Sequence, residues 1–173
     1  MTDQDKRKRL LEKAYRLGFQ YEKIYKGCSQ CAVAAVQDTL GIRDESVFKA
    51  SGGLAAGGAM TGIGVCGGYV GGAMVIGQLC GRDRDHFEDP EGIKFVSMDI
   101  TKKLMDAILV AFGSIICRDI QVKIFGRPYY IRDHEDFLKF EEAGAHVDKC
   151  PHVVGKASEI TVGLILDEGL VKI

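Results

Sequence analysis

The sequence predicts an all-α protein, a compact bundle of five to seven helices that forms a single domain over residues 1–173. Three observations favour this class. Apolar residues recur at three- and four-residue spacing along most of the chain, which is the period of an amphipathic helix. Glycines stand where these periodic segments end. Segments that could form β-strands are few and short.

The first helices precede an uncharged stretch of the chain. Residues 4–26 predict a helix with one apolar stripe, formed by Leu10, Ala14, Leu17, Tyr21 and Ile24. A second helix over 28–40 is expected to end at Gly41, because glycine readily adopts the left-handed conformation of a C-terminal cap. Acidic residues at its start favour a short third helix over 44–50.

Residues 51–81 contain no charged side chain and hold 12 of the 22 glycines. A segment of this length could cross a membrane, but residues 51–64 have few large aliphatic side chains to face lipid. We therefore expect a glycine-rich loop and then a buried central helix over 66–79, and we expect no membrane association. Glycines in that helix allow neighbouring backbones to approach closely.

A charged linker over 81–92 separates this helix from a strongly periodic one. The next helix, over about 95–112, is expected to bury Phe95, Met98, Leu104, Met105, Ile108 and Phe112. Ser114 is the candidate cap of a further short helix that contains Cys117.

The last third of the chain predicts two helices. Residues 124–149 form an irregular excursion that includes one small charged helix over 133–142. The final helix is expected over about 151–166, with an inner face of Val153, Ala157, Ile160 and Leu164.

Composition excludes several classes of function. The 23 Lys and Arg residues nearly balance the 24 Asp and Glu residues, whereas nucleic-acid-binding proteins carry a basic excess. Hydrophobic residues make up 46% of the chain, which argues against intrinsic disorder. The N-terminal residues include no apolar segment typical of a secretory signal, so we expect a cytoplasmic protein. In that compartment six cysteines favour metal binding or redox chemistry over a disulfide framework.

Four cysteines stand at predicted helix starts, and these are Cys28, Cys66, Cys117 and Cys150. Pro151 is a residue favoured at the first helical position, which makes Cys150 the expected N-cap. Helix N-termini present unpaired N–H groups and a partial positive charge, both of which lower the pKa of a thiol. We therefore expect these four thiols to be reactive or metal-binding, although six buried core cysteines are the simpler alternative.

The two remaining cysteines differ from these four. Cys31 forms a C-x-x-C spacing with Cys28, and Ala32 stands where covalent haem attachment requires histidine, so no covalent haem is expected. Cys80 follows Cys66 by fourteen residues, which is ~21 Å along a continuous helix. Cys80 is therefore expected to be an apolar, buried cysteine.

With these motifs in place, the chain resembles the C_GCAxxG_C_C family of redox-active proteins from about residue 15 to residue 166. The run C-G-G-Y-V-G over 66–71 resembles the C-G-A-x-x-G motif, with Gly68 in place of alanine. The other three elements resemble the surroundings of Cys28, Cys117 and Cys150. The chain is also similar to the non-haem part of split-Soret cytochromes c, which are dimeric. For those proteins an iron–sulfur centre has been suggested.

The resemblance implies a helical redox protein. Genes of this family often lie near transporter genes. The leading hypothesis is that Cys28, Cys66, Cys117 and Cys150 converge. They would then bind an iron–sulfur cluster through four thiolates, or cycle between dithiol and disulfide. Cys31 is a possible fifth ligand or a resolving thiol.

Two other hypotheses stay open at this point. The chain could be a non-enzymatic helical adaptor or subunit of a transporter, because a small domain has limited core in which to hide the uncharged 51–81 segment. A homodimer that buries this segment, with a redox or transporter partner, is the expected assembly. Alternatively, Cys150 and His152, with His146 nearby, could form a structural zinc site.

Overall fold

A computed structural model describes residues 2–172, which contain eight α-helices and no β-strand. The helices are α1 (Asp3–Tyr25), α2 (Cys28–Leu40), α3 (Glu45–Ala50), α4 (Gly67–Cys80), α5 (Ile93–Phe112), α6 (Cys117–Phe125), α7 (His134–Glu142) and α8 (Cys150–Asp167). The all-α prediction is confirmed. The helix count exceeds the expected five to seven because the short helices α3, α6 and α7 all form.

The first helices begin and end where the sequence predicts. Thr2 caps α1 in a capping box with Asp5, whose backbone N–H donates to Thr2 Oγ1 at 3.1 Å. Gly41 closes α2 with a φ of 71°, a left-handed conformation that glycine adopts without strain. Asp44 caps α3 by accepting hydrogen bonds from two backbone N–H groups.

Helix α4 packs against α2, α5 and α8, but α8 occupies the more central position that was expected of α4, because it packs against α1, α2, α4 and α5. Two glycines of α4 make its packing possible. A Cβ at Gly71 would lie 2.6 Å from the carbonyl oxygen of Ser29, and one at Gly72 would lie 2.3 Å from Thr161 Oγ1. The predicted close approach of backbones is therefore confirmed. Fully buried aliphatic side chains from α4 and its neighbours form the core, and each contributes about 1.5–3 kcal/mol. They are Val33, Val36, Val75, Ile76, Leu104, Ile108, Val162 and Ile165.

The α4 part of the uncharged 51–81 segment packs against this chain's own helices, whereas Leu54, Met60 and Ile63 in the preceding loop are exposed. Gly67, Gly68, Val75 and Ile76 on α4 are buried against their neighbours. Among the helices of residues 2–172, none has the length and apolar composition needed to cross a bilayer.

Helix α5 departs from the predicted stripe at its beginning. Ile100, Leu104, Ile108 and Phe112 are buried against α4 and α8, as a period of about four residues requires. Phe95 and Met98, however, are 57% and 59% exposed. Periodicity fixes which residues share a helix face, but it does not determine how far along that face a neighbouring helix extends.

The inner face of α8 is also shifted from the prediction. Val153 and Ala157 are buried as expected, whereas Ile160 and Leu164 are only half-buried. Thr161 takes a core position instead, because its hydroxyl donates to the carbonyl of Ala157 at 2.7 Å and so needs no outside partner.

Candidate functional site

The four predicted cysteines lie at the starts of four different helices. Cys28, Cys117 and Cys150 are the first residues of α2, α6 and α8, and Cys66 immediately precedes α4. Two local details differ from the sequence prediction. Ile116, not Ser114, precedes α6; the Ser114 hydroxyl accepts a hydrogen bond from the Ile116 N–H at 3.0 Å and so shapes the turn before the helix.

Cys150 is not the N-cap of a free helix end, and the N-cap prediction for it is wrong. A π-helical turn over Ala145–Lys149 leads directly into α8, so the residue before Cys150 already has helical backbone angles. Sequence alone does not reveal this turn, because Pro151 is compatible both with a helix start and with a preceding irregular turn.

A short backbone ladder places the starts of α4 and α6 side by side. Residues Val65 and Ile116 form an isolated antiparallel bridge. The N–H of Cys66 donates to the Ile115 carbonyl at 2.7 Å, and the N–H of Cys117 donates to the Gly64 carbonyl at 3.0 Å. These bonds hold Cys66 and Cys117 in adjacent positions although fifty-one residues separate them in sequence.

Glycine at position 67 brings the start of α2 against the start of α4. A Cβ at Gly67 would lie 2.2 Å from Cys28 Sγ and 2.6 Å from the backbone nitrogen of Ser29. No side chain fits in that space. The second residue of the C-G-G-Y-V-G run therefore has a geometric reason to be glycine, namely the close approach of the Cys28 sulfur.

All four cysteines line one cavity of about 270 Å³, which we call the cysteine cavity. This volume is far larger than the 10–15 Å³ that a single water molecule needs, and it approaches the roughly 300 Å³ of the smallest ordinary ligand pockets. The other walls are mainly apolar and include Ala55, Ala56, Met60, Ile120, Ile124, Ile131, Phe137, Phe140, Val153 and Val154, while Glu22, Lys26, Gln121 and His146 add polar or charged groups. The structure thus gathers the four sulfur atoms that the sequence analysis singled out.

Several N–H groups donate to these sulfur atoms. The backbone N–H of Ala56 donates to Cys28 Sγ at 3.2 Å, and Gln121 Nε2 donates to Cys117 Sγ at 3.6 Å. Backbone N–H groups in the first turn of α4 donate to Cys66. Such hydrogen bonds favour a negatively charged sulfur.

Burial nevertheless has the larger effect on the four thiols. Burial, together with smaller contributions from a neighbouring thiol and Glu22, raises the pKa of Cys66 and of Cys117 to about 12. Burial, followed by the negative charge of Glu22, raises the pKa of Cys28 and Cys150 well above the usual value. The expectation that helix starts lower these pKa values is therefore wrong, because the loss of solvent outweighs the N–H groups.

The remaining two cysteines lie outside the cysteine cavity. Cys31 is buried one turn along α2 from Cys28, and its thiol donates to the Lys26 carbonyl at 3.2 Å. Cys80 lies at the far end of α4 from Cys66, as expected, but it is half-buried and not buried as predicted; its thiol donates to the Ile76 carbonyl. Neither residue is among those that line the cavity.

Sequence analysis missed Glu22, a buried acidic residue that lines the cysteine cavity. Its Oε2 atom has no hydrogen-bond partner, and its Oε1 atom lies 3.6 Å from His146 Nε2. A signal was present in the sequence. Glu22 continues the row Ala14 and Gly18 at four-residue spacing, and such small residues mark the side of α1 on which another helix packs closely.

His146 connects Glu22 to residues nearer the surface. Its Nδ1–H donates to Glu141 Oε1 at 2.6 Å, and Lys26 Nζ donates to the same oxygen at 2.8 Å. Burial lowers the pKa of His146, but the charges and hydrogen bonds of Glu22 and Glu141 outweigh burial and raise it overall.

The zinc site predicted from Cys150 and His152 is not formed. The His152 ring lies at the surface, where its Nδ1 is 2.9 Å from the Tyr15 hydroxyl, and it does not line the cysteine cavity. Over the described range 2–172, no three His, Cys, Asp or Glu side chains are placed to hold one metal ion.

Four cysteines are the kind of donor set that could hold an iron–sulfur cluster. Four thiolates are the usual ligands of such clusters. A single tetrahedral ion with bonds of about 2.3 Å requires sulfur atoms about 3.8 Å apart, whereas a cluster needs its ligands arranged around a larger volume. The cysteine cavity provides such a volume, with N–H donors to the sulfurs and an apolar wall.

Comparison with known proteins gives one family match. The family model described as "Putative redox-active protein (C_GCAxxG_C_C)" matches residues 26–164, which is about four-fifths of the chain. Neither the curated proteins nor the solved structures include a significant match.

Proposed function

Because the chain belongs to the C_GCAxxG_C_C family of redox-active proteins, we propose that it is an electron-transfer protein that binds an iron–sulfur cluster. Cys28, Cys66, Cys117 and Cys150 are the proposed ligands. The observation that carries the proposal is that these four thiols, from four separate helix starts, line one apolar cavity of about 270 Å³.

The charges around the cysteine cavity favour the binding of a group that contains metal cations. Each thiol is hard to ionise because it is buried and close to other thiols and to Glu22. Iron supplies the positive charge that compensates four thiolates, so binding releases the thiol protons. The protein's contribution is to hold the sulfurs, donate hydrogen bonds to them and exclude water, which together tune a cluster's reduction potential.

Reversible disulfide formation within the cavity is the second candidate. It is supported by the position of the four thiols, which line the same cavity. The attacking group in thiol–disulfide exchange is the thiolate, however, and pKa values of about 12 leave few thiolates at neutral pH. The cluster is therefore the better-supported function.

The test is anaerobic purification followed by iron and sulfide analysis and visible absorption. We expect stoichiometric iron and sulfide in the wild-type protein. Separate Cys28→Ser, Cys66→Ser, Cys117→Ser and Cys150→Ser variants should lose most of the iron, because each removes one ligand.

Matched controls are Cys80→Ser and Cys31→Ser, which remove cysteines outside the cavity and should retain iron. A colourless, iron-free wild type whose thiol count falls on oxidation would support the disulfide function instead. Equal iron loss in Cys80→Ser would contradict the ligand assignment.

The proposal also includes a cellular setting. We place the protein in the cytoplasm, where thiols stay reduced, and all six cysteines are free in the structure. A homodimer and a redox or transporter partner stay predictions, and sedimentation equilibrium of the purified protein checks the first of them.

A further inference from the structure

Residues 127–143 form a small unit over the cysteine cavity, and we call this unit the lid. The lid lies between α6 and the π-helical turn, and it contains α7. Its side chains Ile131, Phe137 and Phe140 line the cavity. Together with Tyr129 they belong to an apolar cluster that is separate from the main core of the bundle. One wall of the cavity is therefore packed independently of the main core.

Hydrogen bonds within the lid join its loop to α7. Asp133 caps α7 by accepting a hydrogen bond from the Asp136 N–H at 2.9 Å. The Asp136 carboxylate in turn pairs with Arg127 and accepts a hydrogen bond from the Tyr130 N–H at 2.7 Å. Because the loop is bonded to α7 at several points, we expect the lid to move as one body.

The outer side of the lid is joined to the rest of the bundle through exposed side chains. Within residues 2–172, the backbone of α7 approaches that of the π-helical turn and has only marginal contact with any other helix. Lys26 donates to Glu141 at 2.8 Å, and Arg132 donates to the Ala59 carbonyl at 3.2 Å. Exposed polar contacts of this kind stabilise a protein little, because water competes for the same groups.

Two buried contacts of Tyr129 hold the inner side of the lid. Its ring packs edge-on against Phe125 of α6, with the ring centroids 5.5 Å apart. Its N–H donates to Gln121 Oε1 at 2.8 Å, while Gln121 Nε2 donates to Cys117 Sγ at 3.6 Å. Tyr129 is only 7% exposed, yet it is not among the residues that line the cavity. Truncation of this side chain therefore loosens the lid without altering the cavity wall.

Glycines stand at both ends of the lid. Gly126 and Gly144 have φ angles of 81° and 85°, a left-handed conformation that glycine adopts readily. Hinges are typically a few residues at the ends of such elements, where the backbone absorbs a change in φ and ψ. The lid thus has a hinge position at each end.

We propose that the lid opens about Gly126 and Gly144 and that this opening admits small solutes to the four cavity thiols. The inference goes beyond the proposed function, because it concerns access to the cavity and applies to a cluster and to a disulfide alike. In the closed state Ile131, Phe137 and Phe140 cover one side of the cavity. In the open state the thiols react while the main core stays folded, since local opening needs less free energy than global unfolding.

The experiment measures how fast iodoacetamide labels each cysteine of the full-length, iron-free protein, with the labelled peptides quantified by mass spectrometry. Tyr129→Ala removes a buried ring from the lid, and we expect it to raise the labelling rates of the four cavity thiols at least about tenfold. Cys80 lies outside the cavity, and its rate should stay at the wild-type value. Tyr130→Ala makes the same change at a neighbour that is 52% exposed, and it should leave all rates within about twofold of wild type.

A second measurement is hydrogen exchange of the backbone amides in the iron-free wild type. Amides that are hydrogen-bonded within α7 should exchange faster than those of α2, α4 and α8, because the lid opens without the main core. Arg132→Gln removes the exposed bond to the Ala59 carbonyl and should speed lid exchange about two- to fivefold. If Tyr129→Ala does not fold, Arg132→Gln replaces it in the labelling experiment.

Three results would overturn the proposal. Lid amides that exchange as slowly as those of α4 would show that the lid does not open separately. Unchanged labelling of the cavity thiols in Tyr129→Ala would show that access to them does not depend on the lid. A parallel rise at Cys80 would show that the whole bundle unfolds instead. All measurements use iron-free protein, so their outcome does not depend on whether a cluster binds.

Discussion

At the four cavity thiols, position on a helix and burial act on the same sulfur atom in opposite directions. Backbone N–H groups near Cys28 and Cys66 favour the thiolate, whereas burial favours the thiol more strongly. The positions of these cysteines could be predicted from sequence, because local residues determine where a helix starts. Their pKa values could not, because burial depends on walls contributed by residues distant in sequence, such as Phe140 and Val153.

His146 makes a testable contribution to stability at the same scale. Its pKa is raised in the folded protein, so protonation favours folding. This stabilisation is complete below the pKa of about 6.5 that histidine has in the unfolded chain. It is lost as the pH rises through the higher pKa that His146 has in the folded protein. We therefore expect the difference in unfolding free energy between wild type and His146→Gln to be largest at acidic pH.

Urea unfolding of the iron-free protein from pH 5.5 to 8.5 measures this difference. His86→Gln, a substitution at an exposed histidine, is the control. A difference in unfolding free energy that grows toward alkaline pH would contradict the upward direction of the His146 pKa shift.

Among the elements, α4 is the one whose glycines have different roles along a single helix. Gly67, Gly71 and Gly72 face other chain segments within 3 Å of an added Cβ, whereas Gly77 has open space around it. The sequence shows all four glycines in the same uncharged segment and does not distinguish them. The difference depends on which side of α4 faces α2 and α8, and that is decided by packing.

This contrast leads to a matched pair of substitutions. Gly67→Ala should destabilise the protein by about 1–3 kcal/mol or more and lower its iron content, because the added carbon overlaps Cys28 Sγ. Gly77→Ala should be neutral or stabilising by about 0.5–1 kcal/mol, since alanine favours a helix interior. Thermal unfolding and iron analysis check both variants. Equal behaviour of the two would refute the proposed close contact.

The apolar pattern of α5 predicts only part of its burial correctly. Its apolar period predicted the buried residues Ile100, Leu104 and Ile108, but it also predicted burial of Phe95 and Met98. The helix continues beyond the ends of the helices that cover it. The length of α5 could be predicted from its sequence. How far the neighbouring helices cover it could not.

For the whole molecule, the fold class followed from periodicity, and the gathering of the four cysteines was expected chiefly through family resemblance. Local patterns carry no information about which helix starts meet. In the structure, the Val65–Ile116 bridge and the packing of α8 on α2 bring them together. These are contacts between residues far apart in sequence, and their formation depends on the complete bundle.

Cofactor removal is the prediction that belongs to this scale. A ligand present at a hundredfold excess over its Kd stabilises the folded state by about 2.7 kcal/mol. For a chain of this size that corresponds to roughly 5–10 °C in Tm. We expect removal of iron to lower the Tm of the wild type by at least this amount. The Tm of Cys28→Ser should not respond to iron removal, and an identical response in both proteins would exclude a cluster that links the four helices.

The distribution of the four cysteines also sets the order of events when the protein is made. Cys150 begins the last helix of the bundle, whereas Cys28 begins the second. A growing chain that has not yet delivered α8 from the ribosome has at most three of the four sulfurs. A cluster held by all four cysteines would therefore be complete only after α8 has been synthesised.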